Sequence, residues 1–252
     1  MKIKTWKSQL VRAAGPIVHE IGRFKRKFRR KIWIRRGILD RFKGQALEQT
    51  FDTIYREGMW GKGSGLGSEG LWADEYIAFV RKFIADKQVR TVTDVGCGDF
   101  GVGARIIDLV EAYNATDISS LIIERNKKKF NCPNVKFIHL DACVHALPAA
   151  DLITIRQVLQ HLTNAEIESI LTNVEKSGAK FCIVAEHLPS EKEFIGPNID
   201  VPSHGAGIRP FIGSGVLIDQ PPFSRAANMA MTIPDPDPAS QERLGIFVYA
   251  MQ

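Results

Sequence analysis

From residue 72 onward, two patterns of apolar residues alternate along the chain. Strand-like apolar runs alternate with stretches whose apolar residues recur every three or four positions, the spacing of an amphipathic helix. Within residues 72–85, for example, Trp72, Tyr76 and Phe83 share one helical face. The pattern predicts strands at 89–95, 113–117, 135–140, 150–155, 181–185 and 244–251. It predicts helices at 72–85, 102–112, 121–130 and 164–176, the last with Thr163 or Asn164 as its N-cap.

This alternation of strands and helices predicts an α/β fold, in which helices cover both faces of a mostly parallel sheet. Residues 244–251, LGIFVYAM, are predicted to close the sheet edge as a final strand. The chain shows no internal repeat. It is therefore expected to form one domain over residues 46–252, preceded by an arm over residues 1–45.

Two stretches interrupt the pattern. Four glycines, Gly61, Gly63, Gly65 and Gly67, suit either a loop that folds over a ligand or a flexible connector. Residues 190–240 are rich in proline, glycine and asparagine, and such long irregular segments are usually functional or disordered. We interpret the second stretch as an insertion that covers the substrate.

The charge of the chain is unevenly distributed. Residues 1–43 contain 15 Lys or Arg and two acidic residues, a net charge of +13, so the remainder carries −7 of the overall +6. Within residues 17–38, apolar and basic residues alternate at helical spacing. Such a basic amphipathic arm suits an anionic membrane surface or another anionic partner, or is solvated without a partner. Nucleic acid is least favoured, because the acidic remainder offers no continuing basic track.

The four cysteines, Cys97, Cys132, Cys143 and Cys182, show neither CxxC spacing nor pairing with histidines. This pattern argues against a disulfide framework and a zinc site, and no metal site is predicted. No apolar run reaches the roughly 18 residues of a membrane-spanning helix, and no signal peptide is predicted. The expected location is the cytoplasm, at the inner face of the membrane if the basic arm binds there.

A glycine-rich turn follows the strand predicted at 89–95. Gly96, Gly98 and Gly101 satisfy the GxGxxG pattern, in which a ligand approaches the backbone closely and a helix start offers free N–H groups. The pattern alone permits a dinucleotide. Asp94 at the strand tip favours S-adenosylmethionine (SAM), because a carboxylate can receive the cationic amino-acid end of SAM but would repel a pyrophosphate.

Polar residues also follow the next strands, where doubly wound folds bind their ligands. Asp117 lies 21 positions after the first glycine of the turn, about the offset at which a carboxylate meets ribose hydroxyls; a helix N-cap is the alternative. Asp141 suits an adenine amino group or an ordinary turn. Arg156, Gln157 and His161 follow the fourth strand and are pocket candidates, with capping or packing as the alternative for the histidine.

With these residues identified, residues 72–252 resemble the class I SAM-dependent methyltransferases, which have a seven-stranded Rossmann-like fold. The DVGCG segment at 94–98 resembles the first motif of that family, Asp117 its acidic second-strand motif, and Asp141-Ala142 its adenine-contacting position. A closer resemblance is to a bacterial small-molecule or glycan-type subgroup. Its segments correspond to SGLGS at 64–68, RQVLQHL at 156–162, NID at 198–200 with Arg209, and PPF at 221–223. Phe100 stands where the commonest first motif has glycine.

The resemblance implies a seven-stranded, mostly parallel sheet, SAM as the cofactor, and methyl transfer as the reaction. It also implies a set of residues that bind the cofactor. Together with the strand-tip argument, this set comprises Asp94, Gly96, Cys97, Gly98, Asp99, Phe100, Asp117, Ile118, Asp141, Ala142 and Arg156.

The acceptor is expected to be a small polar molecule or a glycan that is methylated on a hydroxyl oxygen. Because a general base helps such a reaction near neutral pH, His161, His187 and His204 are the catalytic candidates. The expected substrate residues are Trp60, Gln157, Asn198, Asp200, Arg209 and Phe223, and Arg209 with Arg156 would suit an anionic group.

Two other functions stay open on the sequence. An NAD-dependent oxidoreductase or epimerase is permitted by the GxGxxG match, although its expected YxxxK pair is missing. A methyltransferase-like binding module without turnover is the other alternative.

Overall fold

The computed structural model describes residue 37 and residues 40–61, 63–237 and 240–251. Most of the basic arm predicted at 1–45 lies outside these residues, and its contact with a membrane stays a prediction. Among the helices of the described part of the chain, none combines the length and the apolar character that crossing a membrane requires.

Within the described residues, seven strands form a single sheet. They are β1 Thr91–Val95, β2 Ala112–Asp117, β3 Val135–His139, β4 Leu152–Arg156, β5 Phe181–Leu188, β6 Ala227–Pro234 and β7 Arg243–Ala250. Their order across the sheet is β3-β2-β1-β4-β5-β7-β6, and β7 is antiparallel to both its neighbours whereas the other pairs are parallel. The predicted Rossmann-like sheet, mostly parallel with a closing antiparallel strand, is confirmed.

Helices cover both faces of the sheet. They are α1 Leu47–Arg56, α2 Gly70–Lys87, α3 Ser120–Lys129 and α4 Asn164–Lys176. Short 3-10 helices occur at Leu66–Ser68, Gly103–Arg105, Ile107–Leu109, Leu159–His161 and Arg209–Ile212. Thr163 is the N-cap of α4 and forms a reciprocal capping box with Glu166, as the sequence predicts.

The core consists of two apolar layers, one on each face of the sheet. On one face, α1 and α4 pack against β4, so that Ile54 and Ile170 join Ile153 in one buried cluster. On the other face, Val80 of α2 joins Leu152 in the second cluster. Successive residues of β4 thus enter opposite layers, because side chains alternate across a strand.

The prediction of a helix at 102–112 is wrong. Two turns of 3-10 helix replace it, because the chain is already extended at Val110 in order to enter β2. Phe100 fixes the start of this segment: its backbone has a φ of 62°, and its buried ring packs edge-on against Tyr113, Phe130 and Phe137. The aromatic ring therefore holds the turn into the core.

Strand β6 lies inside the stretch 190–240, which the sequence predicted to be irregular throughout. It forms the sheet edge beyond β7. Asn228, Met229 and Ala230 are exposed there, so the strand lacks the apolar alternation by which the other strands are recognised. The pairing with β7 also contains an irregularity between Met229 and Met231.

The parallel strands bring the chemistry together. Asp94 of β1 is aligned with Ala115 of β2 on one side and with Thr154 of β4 on the other. Because β1 to β4 run in the same direction, their carboxyl ends share one edge of the sheet. The residues that follow these strands therefore meet there, although they are far apart in sequence.

We expect Phe100→Ala to lower the free energy of unfolding by about 3–5 kcal/mol, because a fully buried aromatic ring leaves a cavity when it is truncated. Urea unfolding at pH 7 measures the change. Leu109→Ala is the control: its side chain is 37% exposed, and its loss should cost less than about 1 kcal/mol. A similar cost for both variants would contradict the packing role of Phe100.

Candidate active site

A cleft lies at the carboxyl ends of β1 to β4. Its volume is about 1050 Å³ when the open space at its mouth is included. Ten of the eleven predicted cofactor residues line it: Asp94, Gly96, Cys97, Gly98, Asp99, Asp117, Ile118, Asp141, Ala142 and Arg156. Among the predicted substrate and catalytic residues, Trp60, Gln157 and His161 line it. Phe100 does not line it, because its side chain turns into the core.

The glycine turn after β1 is held by backbone hydrogen bonds. The N–H groups of Gly96 and Cys97 both donate to the carbonyl oxygen of Thr116 at 2.9 Å. Gly96 has a φ of 75°, and a Cβ built on it would overlap the side chain of Val158. Glycine is therefore required at this position for conformation and for space.

A strap of residues, Trp60–Gly61 and residues 63–68, lies against this turn. The N–H of Asp99 donates to Ser64 Oγ at 2.7 Å, and the N–H of Ser64 donates to the Asp99 carboxylate at 3.3 Å. A Cβ on Gly67 would overlap the Gln157 side chain. The glycine-rich segment therefore lines the cleft, as expected for a loop over a ligand and not for a connector.

Three acids stand at the tips of β1, β2 and β3. Asp94 accepts from Thr154 Oγ1 at 2.7 Å, and burial raises the pKa of its carboxyl above the usual value. Asp117 accepts from the N–H groups of Gly98 and Ser119 at 3.0 and 2.9 Å. Burial raises the pKa of Asp117 to about 6, although these two bonds act in the opposite direction.

The helix N-cap role considered for Asp117 belongs to its neighbour. Ser119 is the N-cap of α3, and its Oγ accepts from the N–H of Ile122. Asp141 accepts from the N–H of Cys143 at 2.8 Å and lines the cleft beyond β3. Each acid carries lone pairs beyond these bonds, so all three remain able to accept from a ligand.

A buried carboxylate holds the turn after β4 through hydrogen bonds to its backbone. Glu186 of β5 is fully buried and accepts from the N–H groups of Val158, Leu159 and Gln160 at 2.9 to 3.1 Å. Burial raises the pKa of Glu186 to about 8, against the effect of the three N–H bonds. Sequence reasoning did not assign Glu186 to the site, because it contacts the backbone beneath the cleft.

His161 lies at the end of this turn. Its Nδ1–H donates to the carbonyl oxygen of Gly207 at 2.9 Å, which leaves Nε2 with its lone pair. Nε2 lies 3.4 Å from the side-chain amide nitrogen of Gln160, and the ring lies against the Trp60 indole with the centroids 4.8 Å apart. Burial lowers the pKa of His161 to about 4, so the ring is neutral at pH 7.

The other two histidine candidates lie outside the cleft. His187 pairs through Nε2 with Glu242 at 2.9 Å and packs edge-on against Trp72. His204 pairs through Nδ1 with Glu166 at 2.6 Å, and this hydrogen bond raises the pKa of the ring. Both side chains hold parts of the fold together, so their prediction as bases of this cleft is wrong.

The four remaining substrate candidates also lie elsewhere. Phe223 is buried in the core, and Asn198 donates to three backbone carbonyls within residues 217–221 at 2.8 to 3.2 Å. Asp200 accepts from the N–H of Asn164 at the start of α4. The fully buried Arg209 donates to the carbonyls of Ile199 and Leu162, so it does not join Arg156.

These contacts show how the long segment is attached. No described residue between 190 and 237 lines the cleft. The segment supports the cleft indirectly. The carbonyl oxygens of Ala206 and Gly207 accept hydrogen bonds from Trp60 and His161, whose side chains line the cleft. Its covering of a substrate stays a prediction.

Several aromatic residues of the cleft were not predicted as site residues. They are Phe51, Tyr55, Tyr76 and Tyr113. Tyr55 lies 3.5 Å from Ser64 through its hydroxyl, and burial raises its pKa well above the ordinary value. A signal existed for Phe51 and Tyr55: aromatic residues directly precede the glycine-rich strap in the sequence.

Residues 92–177, which contain this glycine turn, the acids and the turn after β4, match the family described as a methyltransferase domain. No curated protein sequence matches the chain. The match covers the predicted first motif and the turn bearing His161. It favours SAM over a dinucleotide as the ligand of the glycine turn.

Solved methyltransferase structures have a similar fold. The N-methyltransferase NodS from Bradyrhizobium japonicum WM9, in complex with S-adenosyl-L-homocysteine (SAH), superposes with a TM-score of 0.55 and 12% identity, covering 79% of this chain and 98% of that chain. The magnesium protoporphyrin IX methyltransferase ChlM from Synechocystis PCC 6803, with bound SAH, gives 0.50 and 14%, covering 81% and 96%. Human N-acetylserotonin methyltransferase with SAM gives 0.50 and 15%, covering 88% and 65%.

These structures share the fold, and the family match concerns the part of the chain that forms the cleft. Residues 92–177 therefore match a methyltransferase domain, and they lie within a fold that the chain shares with solved methyltransferases. The family match disfavours the interpretation as an NAD-dependent oxidoreductase. The closer resemblance to a bacterial subgroup stays a prediction.

We expect Gly96→Ala to destabilise the protein by at least about 3 kcal/mol, from the positive φ and from overlap with Val158. It should also weaken SAH binding at least about tenfold, because the turn after β4 is displaced. Gly178→Ala is the matched control: its φ is 74° and no atom lies within 4 Å of the added Cβ. It should cost about 1 kcal/mol and leave SAH affinity unchanged. Urea unfolding measures the stability of both variants, and calorimetry measures their affinity for SAH. An equal loss of unfolding free energy in the two variants would refute the steric argument.

We expect His161 to make the protein sensitive to acid. Its pKa is about 4 in the folded chain against 6.5 for the ordinary side chain, so its contribution to stability is complete above pH 6.5 and is lost as the pH falls toward 4. His161→Asn keeps a donor toward Gly207 and removes the titration. Between pH 7 and pH 4.5 the wild type should lose about 2.5 kcal/mol more unfolding free energy than this variant. Parallel losses in urea unfolding would contradict the burial argument.

Proposed function

We propose that this protein transfers the methyl group of SAM to a hydroxyl oxygen of a small polar or glycan acceptor, with His161 accepting the hydroxyl proton. The observation behind this proposal is the placement of one neutral histidine. Among the described residues, His161 lines the cleft with a neutral ring whose Nε2 accepts a long hydrogen bond of 3.4 Å from the Gln160 amide, whereas His187 and His204 are paired with carboxylates elsewhere.

The cleft residues fit the cofactor in shape and charge. Gly96 has no room for a side chain, and the acids at the tips of β1, β2 and β3 suit a ligand with a positive sulfonium, an ammonium and ribose hydroxyls. In this proposal Asp117 receives the ribose hydroxyls, and Ile118 and Asp141 hold the adenine. When bound, the cofactor would supply a methyl group on a sulfonium sulfur. A nucleophile that bonds to the methyl carbon would break the carbon–sulfur bond and release the sulfur as a neutral thioether.

His161 is suited to take the proton. The Nδ1–H bond to Gly207 fixes the tautomer, so that Nε2 is the basic nitrogen. A pKa near 4 makes the ring a weak base, but it also keeps the ring unprotonated at pH 7. As the methyl–oxygen bond forms, the hydroxyl proton becomes strongly acidic, so a weak base in hydrogen-bond reach suffices. The proton then passes from Nε2 to solvent.

Trp60 and Gln157 are the proposed acceptor contacts. The Trp60 indole donates to the carbonyl of Ala206 at 3.3 Å, which fixes its plane beside His161 and offers an apolar surface to a ring. Gln157 has a φ of 54°, an uncommon conformation for a residue other than glycine, and its N–H donates to the carbonyl of Ala185 at 2.8 Å. Its amide offers a donor and an acceptor to a polar ligand.

Calorimetric titration with SAM, SAH and NAD, followed by methyl transfer from labelled SAM to a panel of hydroxylated small molecules and glycans, tests the proposal. We expect saturable binding of SAM and SAH, none of NAD, and labelling of hydroxyl compounds. His161→Asn should lower kcat at least about 100-fold with SAH affinity unchanged. His204→Gln, outside the cleft, is the control and should retain turnover.

Two outcomes of the labelling experiment would contradict different parts of the proposal. Labelling of amines alone would refute the hydroxyl acceptor and the role of His161 as base. Binding of SAM without labelling of any acceptor would favour the binding module without turnover.

A further inference from the structure

The side chain of Gln160 contacts the proposed base without lining the cleft. It is only 4% exposed. Its amide nitrogen donates to the carbonyl oxygen of Gln157 at 3.3 Å and to Nε2 of His161 at 3.4 Å, and an amide has the two N–H groups that these contacts need. Gln160 thus connects His161 to the backbone of a proposed acceptor contact.

The oxygen of the same amide is unpaired. Within the described part of the chain, Gln160 Oε1 is buried and has no hydrogen-bond partner. A buried amide oxygen without a partner is unfavourable, and such atoms are uncommon in folded proteins. Because the last torsion of a glutamine side chain is roughly two-fold, a half-turn exchanges the positions of the oxygen and the nitrogen. The unpaired oxygen therefore indicates a second state in which it is used.

The protonation of His161 decides which end of the amide fits. Nε2 of the neutral ring is an acceptor, because Nδ1–H donates to Gly207, and the N–H of Gln160 suits this state. Once Nε2 has taken a proton, two donors face each other. A half-turn brings Oε1 to the Nε2–H group. This rotation breaks the bond to Gln157, which joins two neutral groups, and forms a stronger one to a charged ring.

We infer that Gln160 is a positioning residue for His161 in methyl transfer: its N–H holds the neutral ring, and its carbonyl oxygen stabilises the ring after the hydroxyl proton has moved to Nε2. This inference rests on the proposed function, because it assumes that His161 is the base. The acceptor hydroxyl donates to Nε2 in place of the bond from Gln160, which at 3.4 Å is long and weak. Loss of the proton to solvent returns the amide to its first orientation.

The backbone around Gln160 is fixed independently of the amide. The N–H of Gln160 donates to the Glu186 carboxylate at 3.1 Å. The N–H of His161 donates to the carbonyl oxygen of Val158 at 3.1 Å, and its own carbonyl oxygen accepts from Gly205 at 3.0 Å. The amide can therefore turn while the ring stays in place. Because charge develops on the ring only as the proton moves, the oxygen stabilises the transition state and not the bound acceptor.

Gln160→Met tests the inference, because methionine has a similar length and lacks both polar atoms, while the backbone bond to Glu186 remains. With an acceptor labelled in the hydroxyl panel, we expect kcat to fall about 10- to 100-fold, the range for a hydrogen bond to a charged group. The KM of the acceptor and the SAH affinity should be unchanged. The melting temperature should stay the same or rise, because an unpaired buried oxygen is removed.

Nitrogen-15 NMR of protein labelled at histidine tests the contact without any acceptor. The spectrum of His161→Asn identifies the His161 resonances by their absence. In the wild type at pH 7, Nδ1 should be protonated and Nε2 unprotonated, with the Nε2 resonance moved to lower frequency by the N–H of Gln160. In Gln160→Met that resonance should move to higher frequency. An unchanged resonance would overturn the inference.

Gln220→Met is the matched control, because Gln220 is an exposed glutamine that does not line the cleft. It should match the wild type in kcat, melting temperature and the His161 resonances. A lower melting temperature in Gln160→Met would mark the amide as structural and overturn the inference. Full kcat in Gln160→Met, with kcat lost in His161→Asn, would overturn the inference alone. Full kcat in His161→Asn would instead overturn the proposed function on which it rests.

Discussion

Two turns, one after β1 and one after β4, meet in this molecule without space for a side chain between them. Gly96 lies directly against Val158, and Glu186 holds the second turn in place through three backbone N–H bonds. The glycine turn, the tip of β4 and the ring of His161 are therefore positioned as one unit. A shift of either turn would move the cofactor residues and the proposed base together.

Burial gives this unit its chemical character. It raises the pKa values of Asp94 and Asp117 and lowers that of His161, so each group is biased toward its neutral form. A ligand with positive charge offsets this effect at the two acids, because nearby opposite charge favours the ionised carboxylate. At His161 the same burial keeps the ring able to accept a proton. One physical property thus supports both the proposed cofactor binding and the proposed proton transfer.

The local sequence does not distinguish the histidine of the cleft from the two histidines that lie elsewhere. His161, His187 and His204 each follow or end a strand-like or irregular segment, and nothing in their local sequence separates them. The fold separates them through partners that are distant in sequence: Gly207 for His161, Glu242 for His187 and Glu166 for His204. Asn198, Asp200 and Arg209 were misassigned for the same reason. Their polar groups are instead used by backbone atoms, either of the long segment itself or of the residues around the start of α4.

The sequence by itself determined the α/β class, most of the strands, the cap of α4 at Thr163, and the acids at the strand tips that line the cleft. Those features depend on local periodicity, on capping and on the rule that parallel strands end at one edge. The tertiary structure alone decided that Phe100 belongs to the core, that β6 forms the edge, and that Glu186 supports the site. These outcomes depend on contacts between residues far apart in the chain, which no local pattern encodes.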